Sequence, residues 1–551
     1  MAIGILGSAL SGLAAFQRSL DVTSNNISNA NTEGYSRQRT ELQTSPEQYV
    51  GSGYLGSGVN VSNIKRSYDQ FITGQVRASS SAFKEVDSFH SLSSQVDNVL
   101  ADSNTSVSTA MKAFFDSVND VANDPTSFAA RQVMLAQGAT LTNQFNTLST
   151  RFNELQRQVN SNLTQAVKDV NSYAASIAEL NLQISDAIGK ASAGQLPNEL
   201  MDKRDVLLTK LAEKVDISVL NQEDGTVSVF VGQGQPLVMS GNTATLSQQD
   251  NGTDPYHPDL QINGVSVAKY LSGGEIYGNL RFRNEVLDPA QAQLGMLATG
   301  FATEFNNLHA AGYDTNGNTG VAFFELGTPQ ALIIPHTKDS ALVATASFSA
   351  PTSAANLGAS YRLEVTGAGV FSLTNLTDNT TTGGLNAASL ATLSAANGFS
   401  ISFSGGSLNV GDSFEITPNF NVAGTIKVNP ALTSASQIAA ASAAGSTGDN
   451  GIALQLADLE QKTSMLGGKK TFTQVYGQLV SDVGSKTSSA AVGVSAQQVL
   501  LNQATEARET LAGVNLDEEA ANLIKFQNAY QAAAKAVSVA SSVFDTLINA
   551  V

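Results

Sequence analysis

The chain has 551 residues, with 30 Lys and Arg against 47 Asp and Glu for a formal net charge of −17, no Cys, no Trp and four His. That length accommodates several cores. The acidic balance opposes nucleic acid or an anionic membrane as partners, and the missing thiols exclude disulfides and thiolate metal sites. Charged residues make up 14% of the chain, against roughly 25% in ordinary soluble proteins, so the surface is polar but thinly charged.

The first ten residues are apolar except for Ser8, but no Lys or Arg precedes them and the first charge is Arg18, so they do not read as a cleavable signal. No run of about 18 apolar residues occurs, and no membrane span is expected. Leu6, Leu10, Leu13, Gln17, Leu20, Ser24 and Ile27 recur at alternating steps of four and three, a coiled-coil seam with two polar positions. The Asn-rich string that follows, with Gly34 free to take a positive φ, predicts that the helix stops and the chain turns. Residues 35–82 read as an extended linker.

A helical region spans 83–214. Within it Leu141, Phe145, Leu148, Phe152, Leu155, Val159, Leu163, Ala166, Val170, Tyr173, Ile177, Leu180 and Ile184 follow a heptad with one extra four-residue step, a stutter that relaxes a supercoil. Val215, Ile217 and Val219 then alternate, Asp224-Gly225 supplies a turn, and Val227, Val229 and Val231 alternate beyond it, which predicts a hairpin. Helical periodicity returns over 285–310. An all-β stretch is expected over 341–418, where Leu363 and Val365, Phe371 and Leu373, Phe399, Ile401 and Phe403, and Phe414 and Ile416 keep a period of two. Residues 435–451, rich in Ala, Ser and Gly, read as a pliable return connection. Helix resumes over 452–512. The last segment carries Leu516, Ala520, Leu523, Gln527, Tyr530, Ala534, Val537, Ser541, Phe544, Ile548 and Val551 on the same 4,3 rhythm as the first. Asp517, Glu518 and Glu519 sit at its N-terminus, and Asn515 and Glu518 have the spacing of a capping box.

The predicted fold class is multidomain α+β: a terminal α-helical coiled coil and a long-helix bundle stem, with inserted all-β domains. The coil takes 1–34 with 516–551. The stem takes 83–214 with 285–310 and 452–512, an inner β domain takes 215–284, and the outer β region with its return connection takes 311–451. Neither terminal stripe supports a stable lone helix, because backbone ordering costs more than one narrow apolar face returns. The two ends are therefore expected to pair and to be completed by further subunits. Leu6, Leu10, Leu13, Leu20 and Ile27 would meet Leu523, Tyr530, Val537, Phe544 and Ile548. Gln17, Ser24, Gln527 and Ser541 would set register in the seams or face a wet channel.

The string SNNISNANTEGYSRQ at 24–38 resembles the N-terminal signature of the flagellar axial proteins of rod, hook and junction, through Asn25, Asn26, Asn29, Asn31, Thr32, Gly34 and Tyr35. NLDEEAANLI at 515–524 and QNAYQA at 527–532 resemble the matching C-terminal signature. LPNELMDKRD at 196–205, GGEIYG at 273–278 and HAAGYDTNG at 309–317 narrow the resemblance to the hook-associated protein 1 family of hook–filament junction proteins. The likeness covers the whole chain, with little family character from 321 to 435. It implies a subunit exported unfolded through the flagellar type III apparatus with the help of a chaperone. Such a subunit assembles with copies of itself between hook protein on the proximal side and the next hook-associated protein on the distal side. The alternatives are another axial component, of hook or distal rod, and a secreted adhesin that uses its outer β modules.

No catalytic, cofactor or metal site is expected. Asp314 to Gly320, with Glu325 beyond, has acid-type ligands at Ca²⁺-loop positions, but Thr319 stands where such a loop needs Gly, so a Gly- and Asn-stabilised turn is the better reading. His257 between Asp254 and Asp259 is flanked by two prolines, which suggest a stiff exposed loop, and no nucleophile motif accompanies it.

Overall fold

A computed structural model describes residues 2–549 apart from 50–52, 103–105, 192–194, 233, 252–253, 328–330, 338–340 and 356. The first helix, α1 (Ala2–Ser28), runs through Asn25 and Asn26 and ends within the Asn-rich string. It pairs antiparallel with the last: a Cβ on Gly12 would lie 3.9 Å from the Ala533 side chain, and Asn26 bonds Glu519. The segment expected to be an extended linker instead forms an arm laid back along α1. Strands Gln38–Thr44 and Val59–Arg66 pair antiparallel. Ser19 bonds Thr40 at 2.9 Å, and Ser11 Oγ accepts the Val59 N–H at 3.2 Å. These strands are mostly polar, which is why no apolar alternation marks them. Asp69 then accepts the N–H groups of Phe71 and Ile72, so α2 (Gln70–Ala101) begins at Gln70 rather than Phe83.

The stem gathers α2, α3 (Val107–Asn123), α4 (Phe128–Lys190) and α5 (Asn198–Lys214). At ~1.5 Å per residue the 63 residues of α4 run about 95 Å. Its heptad is buried as the spacing predicts, except that Tyr173 and Leu180 are half-exposed and Ala174 and Asn181 take the inward places. Helix α6 (Gly274–Phe282) passes through a π turn (Arg283–Leu287) into α7 (Asp288–Ala311), and the rings of Phe301, Phe305, Phe323 and Phe324 pack edge-on or tilted around Phe114.

The hairpin expected after α5 forms with Ile217 opposite Val231 and Val219 opposite Val229, and Gly225 takes φ +81° at its turn. Its inward residues Val227, Val229 and Val231 share one continuous core with α4, so the inner β segment is a flank of the stem and not a separate module. A second core lies further out, among Leu363, Val365, Phe371, Leu373, Phe399, Phe414 and Ile416. Its five-stranded sheet runs Leu332–His336, Ser413–Thr417, Tyr361–Gly367, Val370–Asn375, Thr380–Leu385. The stretch read as all-β also contains a helix, α8 (Ala387–Ala396), started by a reciprocal Asn386–Ser389 capping box ahead of an Ala-rich run.

The return segment is not a pliable connection throughout. Ala435, Ile438, Ala439 and Ala440 are buried, because small side chains let this backbone lie against the stem. The neutral imidazole of buried His309 clamps it, donating from Nδ1 to the Val321 carbonyl at 2.6 Å and accepting the Ala439 N–H on Nε2 at 3.0 Å. Helix α9 (Gly451–Asp458) and α10 (Phe472–Ala512) complete the stem, and α11 (Leu516–Asn549) returns to α1.

Candidate assembly interface

The α1–α11 pair buries little of its own apolar stripe. On α1 the enclosed positions among the described residues are Gly12, Ala15, Ser19, Val22, Thr23 and Asn26, a small and polar face on which Ser19 and Asn26 bond the arm. The 4,3 stripe lies to the side of it. Leu10 is 58% exposed, Leu6 and Ile27 are exposed, and Leu13 and Leu20 are half-buried. On α11, Leu523, Tyr530 and Val537 are half-buried and Phe544 is exposed, while the Ile548 side chain lies outside the described residues. Ile524, Val539 and Val543 add to the open face. Gln17, Ser24, Gln527 and Ser541 all stand on exposed positions. Two neighbouring helices thus present a long apolar strip of a kind that marks interaction surfaces in soluble chains.

Beneath this strip lies a polar joint, and it is built from motifs far apart in sequence. Asn26, 1% exposed, uses its whole amide. It donates to the Gln38 carbonyl (2.8 Å) and Glu519 Oε2 (3.0 Å), and accepts from the Gln38 N–H (2.9 Å) and the Tyr35 hydroxyl (2.9 Å). Burial, with Asp202, Glu199 and Glu519 nearby, pushes the Tyr35 phenol up to about 12, so that hydroxyl stays a donor. Asn29 bonds back to Asn25, and Thr32 bonds Asn29, which closes the turn; Asn31 is exposed. Gly34 is required twice. Its φ is +76°, and a Cβ there would sit 2.0 Å from Val206 Cγ2 of α5.

The chain then enters a set of ion pairs. Arg37 reaches Glu519 at 2.8 Å and Glu518 at 2.6 Å; burial opposes its charge, but these carboxylates hold its pKa above the ordinary value. Its backbone N–H bonds the Ala512 carbonyl at the end of α10. Asn515 caps α11 by accepting from Asp517 and Glu518, but the Glu518 carboxylate is spent on Arg37, so the capping box is one-sided. One turn away Ser36 donates its N–H to Asp202, and Arg66 bridges Asp202 and Asp205, each at 2.7 Å. Burial pushes the Asp202 carboxyl up, against the pull of Arg66 and Ser36. Asn198 donates to the Ile64 carbonyl. The 24–38, 196–205 and 515–524 strings therefore meet in one place, where coil, arm and stem join. Sequence spacing gave no hint of this convergence, and Arg66 carried no motif; its signal was only that a charge is rare in so thinly charged a chain.

The two remaining strings are packing devices. Gly274 has φ +77°, and a Cβ on it would meet the Lys214 backbone at 2.6 Å, while Glu275 pairs with Lys214. In 309–317, His309 holds the returning chain, and its burial depresses the imidazole to about 4. Asp314 accepts the N–H groups of Asn316 and Asn318 at 2.8 Å each, the expected turn. His257 departs from expectation. It lies buried on a strand (Asp254–Ile262), beside Asp288 at 3.1 Å, and not on an exposed loop, because the flanking prolines sit within that strand. Among the described residues no group of three or more His, Asp or Glu side chains is placed to hold a metal, and no helix is long and apolar enough to cross a membrane.

The long helices at both ends, and the terminal strings that join them to the stem, match family models of flagellar axial proteins. The family model of the flagella basal body rod protein matches residues 6–35, and that of the flagellar basal body rod FlgEFG protein C-terminal matches 510–550. The flagellar hook-associated protein FlgK helical domain matches 93–324. Over 560 residues, 99% of each chain, the sequence is 34% identical to flagellar hook-associated protein 1 of Escherichia coli (strain K12). The corresponding protein of Bacillus subtilis (strain 168) is 27% identical over 99% of this chain and 97% of its own. The flagellar hook junction protein FlgK from Burkholderia pseudomallei shares the fold at a TM-score of 0.68 and 23% identity, over 80% of this chain and 100% of that one. The chain belongs to the flagellar hook-associated protein 1 family, the structural hook–filament junction proteins of the bacterial flagellum.

Proposed function

We propose that the chain polymerises through its terminal helices, with α1 and α11 of each copy completing their apolar strip against those of its neighbours around a common axis. The observation that carries this reading is the strip itself. Leu6, Leu10, Ile27, Ile524, Val539 and Phe544 remain open on helices already paired with each other. A monomer gains nothing from leaving such a surface in water, and burial returns roughly 1.5 to 3 kcal/mol per large apolar side chain. Leu13, Leu20, Leu523, Tyr530, Val537 and Ile548 belong to the same contact. Stem and outer β region then stand outward from this wall, held at a fixed angle by the Asn26–Arg37–Glu519 joint. In this role the protein is non-catalytic and extracellular, with a chaperone to cover the strip before assembly. Hook protein lies on its proximal side and the next hook-associated protein on its distal side.

The test is Leu10→Glu with Ile524→Glu, placed on exposed positions so that the monomer fold is not burdened. The expected result is a chain whose unfolding transition matches the parent, yet which is absent from isolated flagella while filament protein is lost into the medium. Removal of 1–31 or of 516–551 should have the same effect. Normal incorporation of the charged variant would defeat the reading.

A further inference from the structure

The peptide between Ile438 and Ala439, on the chain returning from the outer β region, is gripped from both sides. Its carbonyl accepts from the Arg131 guanidinium, and its N–H donates to Nε2 of His309 at 3.0 Å. Arg131 stands in the first turn of α4 and also donates to the Pro125 carbonyl at 2.7 and 2.9 Å, so the turn between α3 and α4 anchors it. His309 stands near the end of α7, with its other nitrogen on the Val321 carbonyl. Both side chains are buried, at 2% and 0% exposure. The neighbouring residues Ser436, Ala440 and Ala441 bond instead to Thr315 and Tyr313 of the outgoing chain and to the start of α9.

This grip serves one protonation state only. Nε2 must be bare to accept from Ala439, while Nδ1 needs its proton to reach Val321. A second proton would set N–H against N–H and a new cation near the Arg131 guanidinium. The rings of Phe305 and Phe323 pack on the imidazole at 6.3 and 5.5 Å, so that charge would be shut away from water. Among the described residues Arg131 is the one charge that acts on His309, and Asp314 is the carboxylate that acts on Arg131.

We infer that His309 and Arg131 form an acid-released latch, in which protonation of His309 frees residues 436–441 from the stem while the stem and the outer β core stay folded. The other ties of this region do not titrate. Asn306 bonds Phe324 through both ends of its amide at 2.8 Å, Asn146 donates to the Ile426 carbonyl, and strands Phe324–Leu326 and Ile426–Val428 pair through their backbones. Burial, aided by Arg131 and against the Val321 bond, depresses the His309 imidazole to about 4. The latch is therefore closed above about pH 6.5 and opens as pH falls toward about 4. The turns on either side still hold in that window. Burial raises the Asp314 carboxyl, but bonds from Asn318 and Asn316 outweigh it and keep it below the ordinary value, and bonds from Ser442 and Gly451 do the same for Asp449.

Hydrogen exchange on the full chain tests the latch. Between about pH 7.5 and about pH 4.5 the protection factor of the Ala439 amide should fall about 70-fold, the ratio set by a His309 value of about 6.5 when open and about 4 when closed. At the lower pH this exchange should be indifferent to low urea, as a local opening is, whereas the amides of Val159 and Leu163 in the stem core should speed up with urea. His309→Gln cannot titrate and should hold Ala439 protection within about threefold over the same range. Arg131→Gln removes the neighbouring cation and should move the transition to higher pH. Ala439 protection that changes less than about threefold in the parent chain, or that follows urea as the stem amides do, would overturn the latch. An unmoved transition in Arg131→Gln would remove Arg131 from it.

Discussion

Asn26→Ala tests whether the joint is held by the amide of one buried side chain. Four groups lose their partner: the Gln38 N–H, the Gln38 carbonyl, the Tyr35 hydroxyl and Glu519 Oε2. Two of them have relief, since half-buried Tyr35 can turn its O–H toward water and Glu519 keeps Arg37. The two backbone groups of Gln38 do not, because their face of the strand points at Asn26. At about 1 to 3 kcal/mol for each buried group left unmet, the joint should weaken by about 2 to 5 kcal/mol. Hydrogen exchange of the Gln38 amide reads this directly, and it should accelerate by about 30-fold or more at roughly tenfold per 1.4 kcal/mol. Asn26→Asp isolates the electrostatic part. It sets a carboxylate about 3.0 Å from Glu519 Oε2, where two like charges share a proton and the folded-state pKa rises above the unfolded one. The defect should then be largest near neutral pH and shrink as pH falls through that raised pKa. Gln38 exchange within threefold of the parent in Asn26→Ala, or an Asn26→Asp defect flat between mildly acidic and neutral pH, would refute the reasoning.

Gly34→Ala should cost roughly 2 to 4 kcal/mol, from a left-handed backbone at φ +76° and a clash with Val206. Adding Val206→Ala should restore only the clash share in denaturant titrations. Arg66→Ala leaves buried Asp202 and half-buried Asp205 without the cation they share, and should cost about 3 to 5 kcal/mol, with Arg66→Met less harmful where the Asp202→Asn change accompanies it. His309 is neutral in the fold and depressed from 6.5 to about 4, so the unfolded chain binds the extra proton. Its stability share is present above about pH 6.5 and is lost as pH falls toward 4, about 3 kcal/mol at ~1.4 kcal/mol per pH unit. Unfolding midpoints against pH should lose that slope in His309→Gln.

Much of the helical architecture was legible because it repeats. A 4,3 rhythm in α1, α4 and α11 is a one-dimensional record of a stripe, and a period of two marks the strands around Leu363, Phe371 and Phe414. The arm at 38–66 was not legible. Its strands carry polar side chains, and what fixes them is hydrogen bonding to Ser11, Ser19 and Asn26 of a helix already formed. Helix α8 escaped notice for a related reason, since a short Ala-rich run carries no stripe to read.

The sequence by itself determined which faces are apolar, where the helices stop and which family signatures stand at the two ends, because each of these depends on residues within a few turns of one another. Only the tertiary structure decided that Asn26, Arg37, Asp202 and Glu519 form one joint, and that the stripe of α1 faces outward while Ala15, Ser19 and Val22 face in. A hydrogen bond between residues 493 positions apart depends on direction and distance in space, and chain order encodes neither.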